Sequence, residues 1–236
     1  MDGVVPAAGE GTRLRPLTAD QPKGLVDVAG TPLLTHVFET LVALDVSRLV
    51  VIVGYRGEQI RAHYGAAFDG IPIEYVTQEP RRGLGDALLQ AAPQIDDNFL
   101  LLNGDNVIRG NMAAVPERHR ETDATVTALV EEVPRARARK GAVFEREEGE
   151  ITGVVEKPSD PPSRLVPRGF YAFSPAILDA CRLVTPGETG EYELTDAIDL
   201  ALEAGHRLEA VPFEGWCVNV NTPADCDRVR ERLAGE

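Results

Sequence analysis

Residues able to handle phosphate gather at the start of the chain. Val4-Val5-Pro6-Ala7-Ala8-Gly9-Glu10-Gly11-Thr12-Arg13-Leu14-Arg15 runs from a short apolar stretch into a loop with two glycines and two arginines, and Pro22-Lys23 follows. Glycine lets backbone N–H groups come close to phosphate oxygens, and the cations neutralise the charge those oxygens carry. In a chain with 38 acidic against 24 basic residues and a formal charge of −14, this much positive potential on one loop points to a nucleoside triphosphate. The backbone of Ala8, Gly9 and Gly11, with Thr12, is placed to cradle the phosphates at the carboxyl end of a first strand, where parallel sheets bind ligands. Gly9-x-Gly11 alone is an ordinary strand-to-helix turn; the whole string carries the chemistry. A dinucleotide fingerprint is excluded because Leu14 stands where its third glycine belongs, and no Gly-Lys-Ser/Thr follows to make a Walker loop.

Further along, Leu102-Asn103-Gly104-Asp105-Asn106 is an apolar strand that ends abruptly in a carboxylate. Mg²⁺ takes hard oxygen ligands, usually one or two protein carboxylates plus phosphates, so Asp105 is the candidate metal ligand. Gln78, closing Tyr75-Val76-Thr77-Gln78, offers a donor and an acceptor to a pyrimidine edge, and Gly83 lets a base approach the backbone. Lysine occurs only at 23, 140 and 157. Two of these sit in Pro22-Lys23 and Glu156-Lys157-Pro158, where a compact charge on a flexible stem suits a phosphate.

These motifs, in this order and over almost the whole chain, resemble the sugar-1-phosphate nucleotidylyltransferases (nucleoside-diphosphate-sugar pyrophosphorylases). The pattern is most similar to the glucose-1-phosphate uridylyl- and thymidylyltransferases. The resemblance implies Mg²⁺-dependent transfer of a nucleotidyl group from an NTP, UTP or dTTP foremost, to a hexose 1-phosphate, glucose 1-phosphate foremost, with release of pyrophosphate. It implies that Arg13 holds the triphosphate and stabilises charge at the transferred phosphorus, and that Lys23 lies near the reacting phosphates. With Asp105 these form the expected catalytic set. Glu156 is expected to accept from sugar hydroxyls and Lys157 to bind the sugar phosphate; Gly141, Gly169 and Tyr171 match sugar-pocket elements. Gly190-Glu191-Tyr192-Glu193-Leu194-Thr195-Asp196 matches a further family element, read here mainly as packing. Arg15 serves equally well as a surface arginine.

The chain departs from the family near its end. The family pattern is Trp-x-Asp before a Val/Ile-Gly-Thr-like turn, and that Asp also meets the metal. Here the run is Trp216-Cys217-Val218-Asn219-Val220-Asn221-Thr222-Pro223. Matching the Thr-Pro end puts Asn219 at the acid's place; matching the tryptophan puts Val218 there. Asn219 can ligate Mg²⁺ through its carbonyl but brings no charge. Asn219 motivates one alternative, a non-catalytic nucleotide-sugar sensor or subunit; a second, a cytidylyl- or guanylyltransferase for another phosphorylated acceptor, shares the glycine loop and Gly104-Asp105.

Apolar β-branched runs alternating with helical patterns must position these residues, and they predict an α/β, Rossmann-like, mostly parallel sheet flanked by helices. Strands are expected at 3–7, 48–53, 71–76, 99–102 and 125–131, with helices around 32–44, 57–64, 84–92 and 112–120. Thr31-Pro32, Ser174-Pro175 and Thr222-Pro223 read as helix caps followed by proline, the last with Asp225 as a capping-box acid. The second half reads as a smaller β-rich sugar-binding part, with a hairpin from 140–146 and 150–156, a proline-rich loop at 159–167, a strand at 166–173 and a helix over 193–204. Arg135, Arg137 and Arg139 read as a solvated, mobile segment. The expected organisation is a single nucleotidyltransferase domain over 1–236, comprising a nucleotide-binding core (1–132) and a sugar-phosphate part with closing helices (133–236). No appended β-helix or acyltransferase domain is expected.

The acidic balance argues against nucleic acid as a partner and, with so little lysine, resembles a surface suited to a high-salt cytoplasm. No apolar run is long enough to span a membrane, and Met1-Asp2-Gly3 lacks the basic start of a signal peptide, so a cytoplasmic protein is expected. Cys181, Cys217 and Cys226 read as free thiols, and the four histidines lack ligand spacing. A homo-oligomer is compatible with this reading.

Overall fold

Leu49–Val53 is buried at every position because it lies between two parallel neighbours, Asp2–Ala7 and Ile71–Thr77, with Val51 opposite both Val5 and Tyr75. A strand covered on both faces needs no polar alternation, which is why its sequence is uniformly apolar. The computed structural model describes residues 1–187 and 190–235. Its fold is α/β, a mixed, mostly parallel sheet with helices around it, as the alternating pattern predicts.

The chain divides into two compact units. The first comprises Met1–Arg81, Leu102–Gly110 and the segment from Gly215 on. Besides the parallel strands it carries the edge strand Ala67–Phe68, antiparallel to Ile71–Thr77, and helices Leu33–Val42, Gly57–Tyr64 and Pro223–Leu233. Helix Leu33–Val42 buries Leu33, Leu34, Val37, Phe38 and Leu41 completely; each side chain is worth about 1.5–3 kcal/mol when removed from water. Phe38 meets Tyr64 and Phe68 edge-on, with ring centroids 4.8 and 5.4 Å apart. Asn106–Gly110 pairs antiparallel with Gly215–Asn219. This pairing draws two distant segments into the first unit and makes the units discontinuous in sequence, unlike the division at residue 132 read from the sequence.

The second unit comprises Arg82–Leu101 and Asn111–Glu214. Val126–Glu132 lies at its centre, antiparallel to Leu165–Phe173 and parallel to Leu208–Pro212. The hairpin Ala142–Glu147 and Glu150–Glu156 forms as expected, and helix Leu194–Glu203 buries Leu194, Ala197, Ile198 and Ala201. Phe99 packs against Phe173 at 5.5 Å. Among the described residues no helix is long and apolar enough to cross a membrane.

Three local expectations need correction. Thr31 does not cap a helix: Thr31–Pro32 pairs with Asp27–Val28, and Pro32 itself precedes the first helical residue. Ser174-Pro175 opens a turn, with the helix beginning at Ile177 and no side-chain cap. Arg135–Ala138 is a single helical turn rather than a loose segment, tied by Arg135 to Asp160 at 2.5 Å and by Arg137 to Glu131 at 3.8 Å.

Thr222, by contrast, makes the capping box predicted for it. Asp225 Oδ2 accepts from the backbone N–H of Asn221 (2.9 Å) and Thr222 (2.7 Å) and from Thr222 Oγ1 (2.9 Å). Burial alone pushes its carboxyl pKa up, but these bonds and Arg228 outweigh burial and hold it below the usual value. Asp225→Ala is therefore expected to cost about 1 kcal/mol of stability, the usual worth of such a cap. Because the folded value is the depressed one, the wild-type advantage should be complete above the unfolded value of about 3.9 and vanish as pH falls through the folded value. Denaturant titrations of both proteins at neutral and acid pH measure this.

Candidate active site

Gly11 sets the position of the first cation. Its φ of +65° lies in the left-handed region, and a Cβ there would stand 2.9 Å from Lys23 Cβ. The loop oxygen of Gly11 accepts from Thr18 Oγ1 at 2.9 Å, so the turn after the first strand is fastened from within. Around Gly9 there is open space, with no atom within 4 Å of where a Cβ would sit. Ala8 is 7 % exposed, and its carbonyl accepts from Tyr55 N–H at 3.2 Å. The loop of Asp105 is pinned to the same strand, since Gly104 N–H donates to Pro6 O at 3.2 Å. Any side chain at 104 would strike that carbonyl, 2.5 Å from a Cβ.

Four further side chains converge with Lys23 in this unit. Lys23 Nζ donates to Asp105 Oδ2 at 2.8 Å and to Asn221 Oδ1 at 3.0 Å. Arg13 Nη2 donates to the same Asn221 oxygen at 3.0 Å. Asn221 Nδ2 donates to Asn219 Oδ1, and Asn219 Nδ2 donates to Asp105 Oδ1 at 3.3 Å, which closes a ring. Val220 N–H donates to Asp105 O at 2.8 Å, locking the end of Gly215–Asn219 to the metal-candidate loop. Val218 packs instead in the cluster of Leu14, Val26, Val28 and Leu33, so of the two residues that could replace the family acid, Asn219 is the one beside Asp105.

Asn221 was not singled out from the sequence. The available signal was period-two alternation: Asn219 and Asn221 flank Val220, and alternate residues of an extended segment share a face. Arg15 lies outside the ring, exposed and paired with Glu10 at 3.2 Å; Arg81 reaches the other oxygen of Glu10 at 3.8 Å. Gln78 is 3 % exposed, and its N–H donates to Val53 O at 2.8 Å.

The donor set at the ring can be weighed against a hard divalent cation. Asp105 supplies one carboxylate with lone pairs to spare, and Asn219 supplies an amide oxygen, while the Asn221 oxygen is taken by Arg13 and Lys23. Among the described residues no group of three His, Cys, Asp or Glu side chains is arranged to hold a metal. Such a set does not suit a soft or fully protein-caged metal. It fits Mg²⁺, which keeps waters and takes phosphate oxygens beside one or two carboxylates.

The second unit holds the residues matched to sugar-phosphate binding. Lys157 has φ +46°; its N–H donates to Gly141 O at 3.1 Å, and its Nζ pairs with Glu156 Oε1 at 2.9 Å. The hydrogen bond to Glu156 raises the Lys157 pKa. Burial, then the charge of Glu156, raises those of Glu193 and Asp196. Gly169 has φ +68°. Tyr171 is 5 % exposed and stacks on Phe173 with centroids 5.3 Å apart, and burial drives its phenol pKa far upward. Gly83 has φ +97°, and a Cβ there would lie 2.7 Å from Tyr192 O. Close packing on the Tyr192 backbone, together with Gly85 N–H donating to Tyr192 O at 2.8 Å, therefore already requires glycine at that position.

Gly11→Ala should cost about 1–2 kcal/mol for the left-handed conformation alone, plus the displacement of Lys23. Chemical denaturation should register the loss. Substitution at Gly9, where space is open, should cost measurably less.

Comparison with known proteins follows the same lines. The sequence pattern described as "Nucleotidyl transferase" matches residues 2–219. The chain is 48 % identical over 237 residues to the UTP–glucose-1-phosphate uridylyltransferase AglF of Haloferax volcanii, covering 100 % of this chain and 98 % of that protein. It is 31 % identical over 227 residues to a glucose-1-phosphate thymidylyltransferase of Streptomyces griseus, covering 95 % of this chain and 64 % of that protein. Among solved structures, a UDP-glucose pyrophosphorylase complexed with UDP-glucose superposes with a TM-score of 0.87 at 22 % identity, covering 99 % of this chain and 98 % of the other; that likeness bears on the fold.

Proposed function

The chain belongs to the nucleotidyl transferase family, and we propose that it transfers a uridylyl or thymidylyl group from UTP or dTTP to a hexose 1-phosphate, glucose 1-phosphate foremost. A phosphate oxygen of the sugar phosphate attacks the α-phosphorus. The bond from that phosphorus to the bridging oxygen breaks, and pyrophosphate leaves with the electron pair. Little covalent work falls to the protein, so positioning and charge stabilisation dominate.

The observation that carries this reading is the convergence of Arg13 and Lys23 on one acceptor oxygen, beside Asp105, at the glycine turn of the first strand. Two cations sharing one oxygen match two cations sharing a polyphosphate. In this reading Ala8, Gly9, Gly11 and Thr12 cradle the phosphates, Arg13 and Lys23 offset charge at the transferred phosphorus, and Gln78 meets the base. Glu156 accepts from sugar hydroxyls and Lys157 binds the sugar phosphate, with Gly141, Gly169 and Tyr171 shaping that pocket. Asp105 would hold Mg²⁺, which supplies charge neutralisation for the phosphate oxygens when bound; Asn219 would join through its amide oxygen by turning its NH₂ away from Asp105. Similarity to the uridylyl- and thymidylyltransferases supports the choice of base and sugar. The family match over residues 2–219 supports reading the chain as one nucleotidyltransferase domain.

Pyrophosphate release across UTP, dTTP, CTP, GTP and ATP against several sugar 1-phosphates, with Mg²⁺ and at low and molar salt, tests the proposal. Turnover is expected with UTP or dTTP and glucose 1-phosphate. Turnover only with CTP or GTP would reassign the base, and folded protein inert with every pair would overturn the reading. Asp105→Asn and Lys23→Ala are each expected to lower kcat at least a hundredfold, as loss of a transition-state charge partner does, while thermal unfolding stays close to wild type.

A further inference from the structure

We propose that Asn221 is a positioning residue that aligns Arg13 and Lys23 for a polyphosphate while leaving their charge undiminished, and that an amide rather than a carboxylate at this position is what keeps the site receptive to polyanions. The proposal rests on the reading of the site given above and deepens it.

Its orientation is chemically forced. Arg13 Nη2 and Lys23 Nζ can only donate, and both lie 3.0 Å from Asn221 Oδ1. The NH₂ of Asn221 must therefore face the other way, where Asn219 Oδ1 accepts it. Asn219 in turn gives its own NH₂ to Asp105 Oδ1 at 3.3 Å. The backbone of Asn221 is fixed independently, its N–H donating to Asp225 Oδ2 at 2.9 Å within the helix cap. A rigid neutral acceptor thus sits between two cations.

The charge count follows from these five side chains. Arg13 and Lys23 bring two positive charges and Asp105 one negative; Asn219 and Asn221 bring none, leaving an excess of one positive charge. A carboxylate at 221 would accept the same two hydrogen bonds, more strongly, and cancel that excess. An incoming phosphate would then have to displace a carboxylate from Arg13 as well as from Lys23, whereas in the wild-type site Lys23 is paired with Asp105 and Arg13 meets the neutral amide. Arg15 and Arg81 are drawn to Glu10 instead, and Arg13 and Lys23 are the cations that share the amide oxygen.

The experiment is equilibrium binding of UTP and of inorganic pyrophosphate in EDTA, so that metal affinity plays no part, to wild type, Asn221→Asp and Asn221→Ala, with thermal unfolding of each. Asn221→Asp is expected to weaken both ligands at least tenfold at low ionic strength, with the difference shrinking as salt screens the added charge. Asn221→Ala, which loses alignment but keeps the charge excess, should weaken both ligands about threefold, by the same factor at every ionic strength. Binding by either variant equal to wild type, or equal weakening in both variants with no salt dependence, would overturn the proposal. Failure of wild type to bind either ligand would instead overturn the assignment of the site to a nucleoside triphosphate.

Discussion

The approach of Lys23 to Asp105 is the constraint around which this site is built. An ammonium and a carboxylate 2.8 Å apart, 14 % and 28 % exposed, are too shielded to be a casual surface pair and too open to be a buried one. The partial burial that strengthens the attraction also costs solvation, so the pair is better understood as setting geometry than as adding stability. It requires the chain to pass close beside the first loop, and the missing side chain of Gly11 gives Lys23 Cβ that room. It requires Asp105 to face the loop, which the bonds of Gly104 to Pro6 and of Val220 to Asp105 arrange. Backbone hydrogen bonds and one glycine thus do the positioning, and the ion pair reports that it has been done.

Electrostatics at two length scales explains why the cations must be so closely placed. A chain of formal charge −14 repels a polyanion at a distance, yet at physiological salt that repulsion fades over about 8 Å. Within that distance local arrangement decides, and Arg13 and Lys23 dominate the ring. Long-range steering cannot be what brings a triphosphate here. Short-range capture by fixed donors can be, and the part of it that rests on Lys23, which is partly buried, is screened less by salt. An acidic surface and a phosphate site are therefore compatible in one molecule.

Much of the fold was readable because it is encoded locally. The strand Leu49–Val53 and the helix Gly57–Tyr64 are written in uninterrupted apolar or helix-period runs, and the hairpin between Ala142 and Glu156 in two β runs with a turn between them. What escaped notice depends on contacts between distant segments. Asn106–Gly110 and Gly215–Asn219 are each five residues long, and neither declares itself as a strand without the other. Thr31 has the sequence of a cap, but pairing with Val28 captured it first. At the site, the loop, Lys23 and Asp105 could be picked out by residue type. Asn221 could not, because a neutral amide carries no signature until two cations are seen to share it. Gly83 shows the converse: its glycine suited a ligand contact, yet the Tyr192 backbone already requires it.

Lys157 offers a contrast that clarifies the choice of an amide at Asn221. Its ammonium, 61 % exposed, is held 2.9 Å from the Glu156 carboxylate, and its backbone adopts a positive φ of 46°, an uncommon state for a side-chain-bearing residue that local bonds must hold. A phosphate reaching Lys157 competes with a carboxylate; one reaching Arg13 competes with the Asn221 amide, and one reaching Lys23 with that amide and the Asp105 carboxylate. A sugar monophosphate needs modest phosphate affinity supplemented by hydroxyl contacts, and the paired lysine keeps that affinity modest while Glu156 remains an acceptor. A triphosphate has no such supplement along its polyphosphate chain, so it is met by two cations that share the neutral Asn221 oxygen, Lys23 being paired with Asp105 as Lys157 is with Glu156. The two sites therefore differ in the number of cations presented, in keeping with the charge density of what each is proposed to hold.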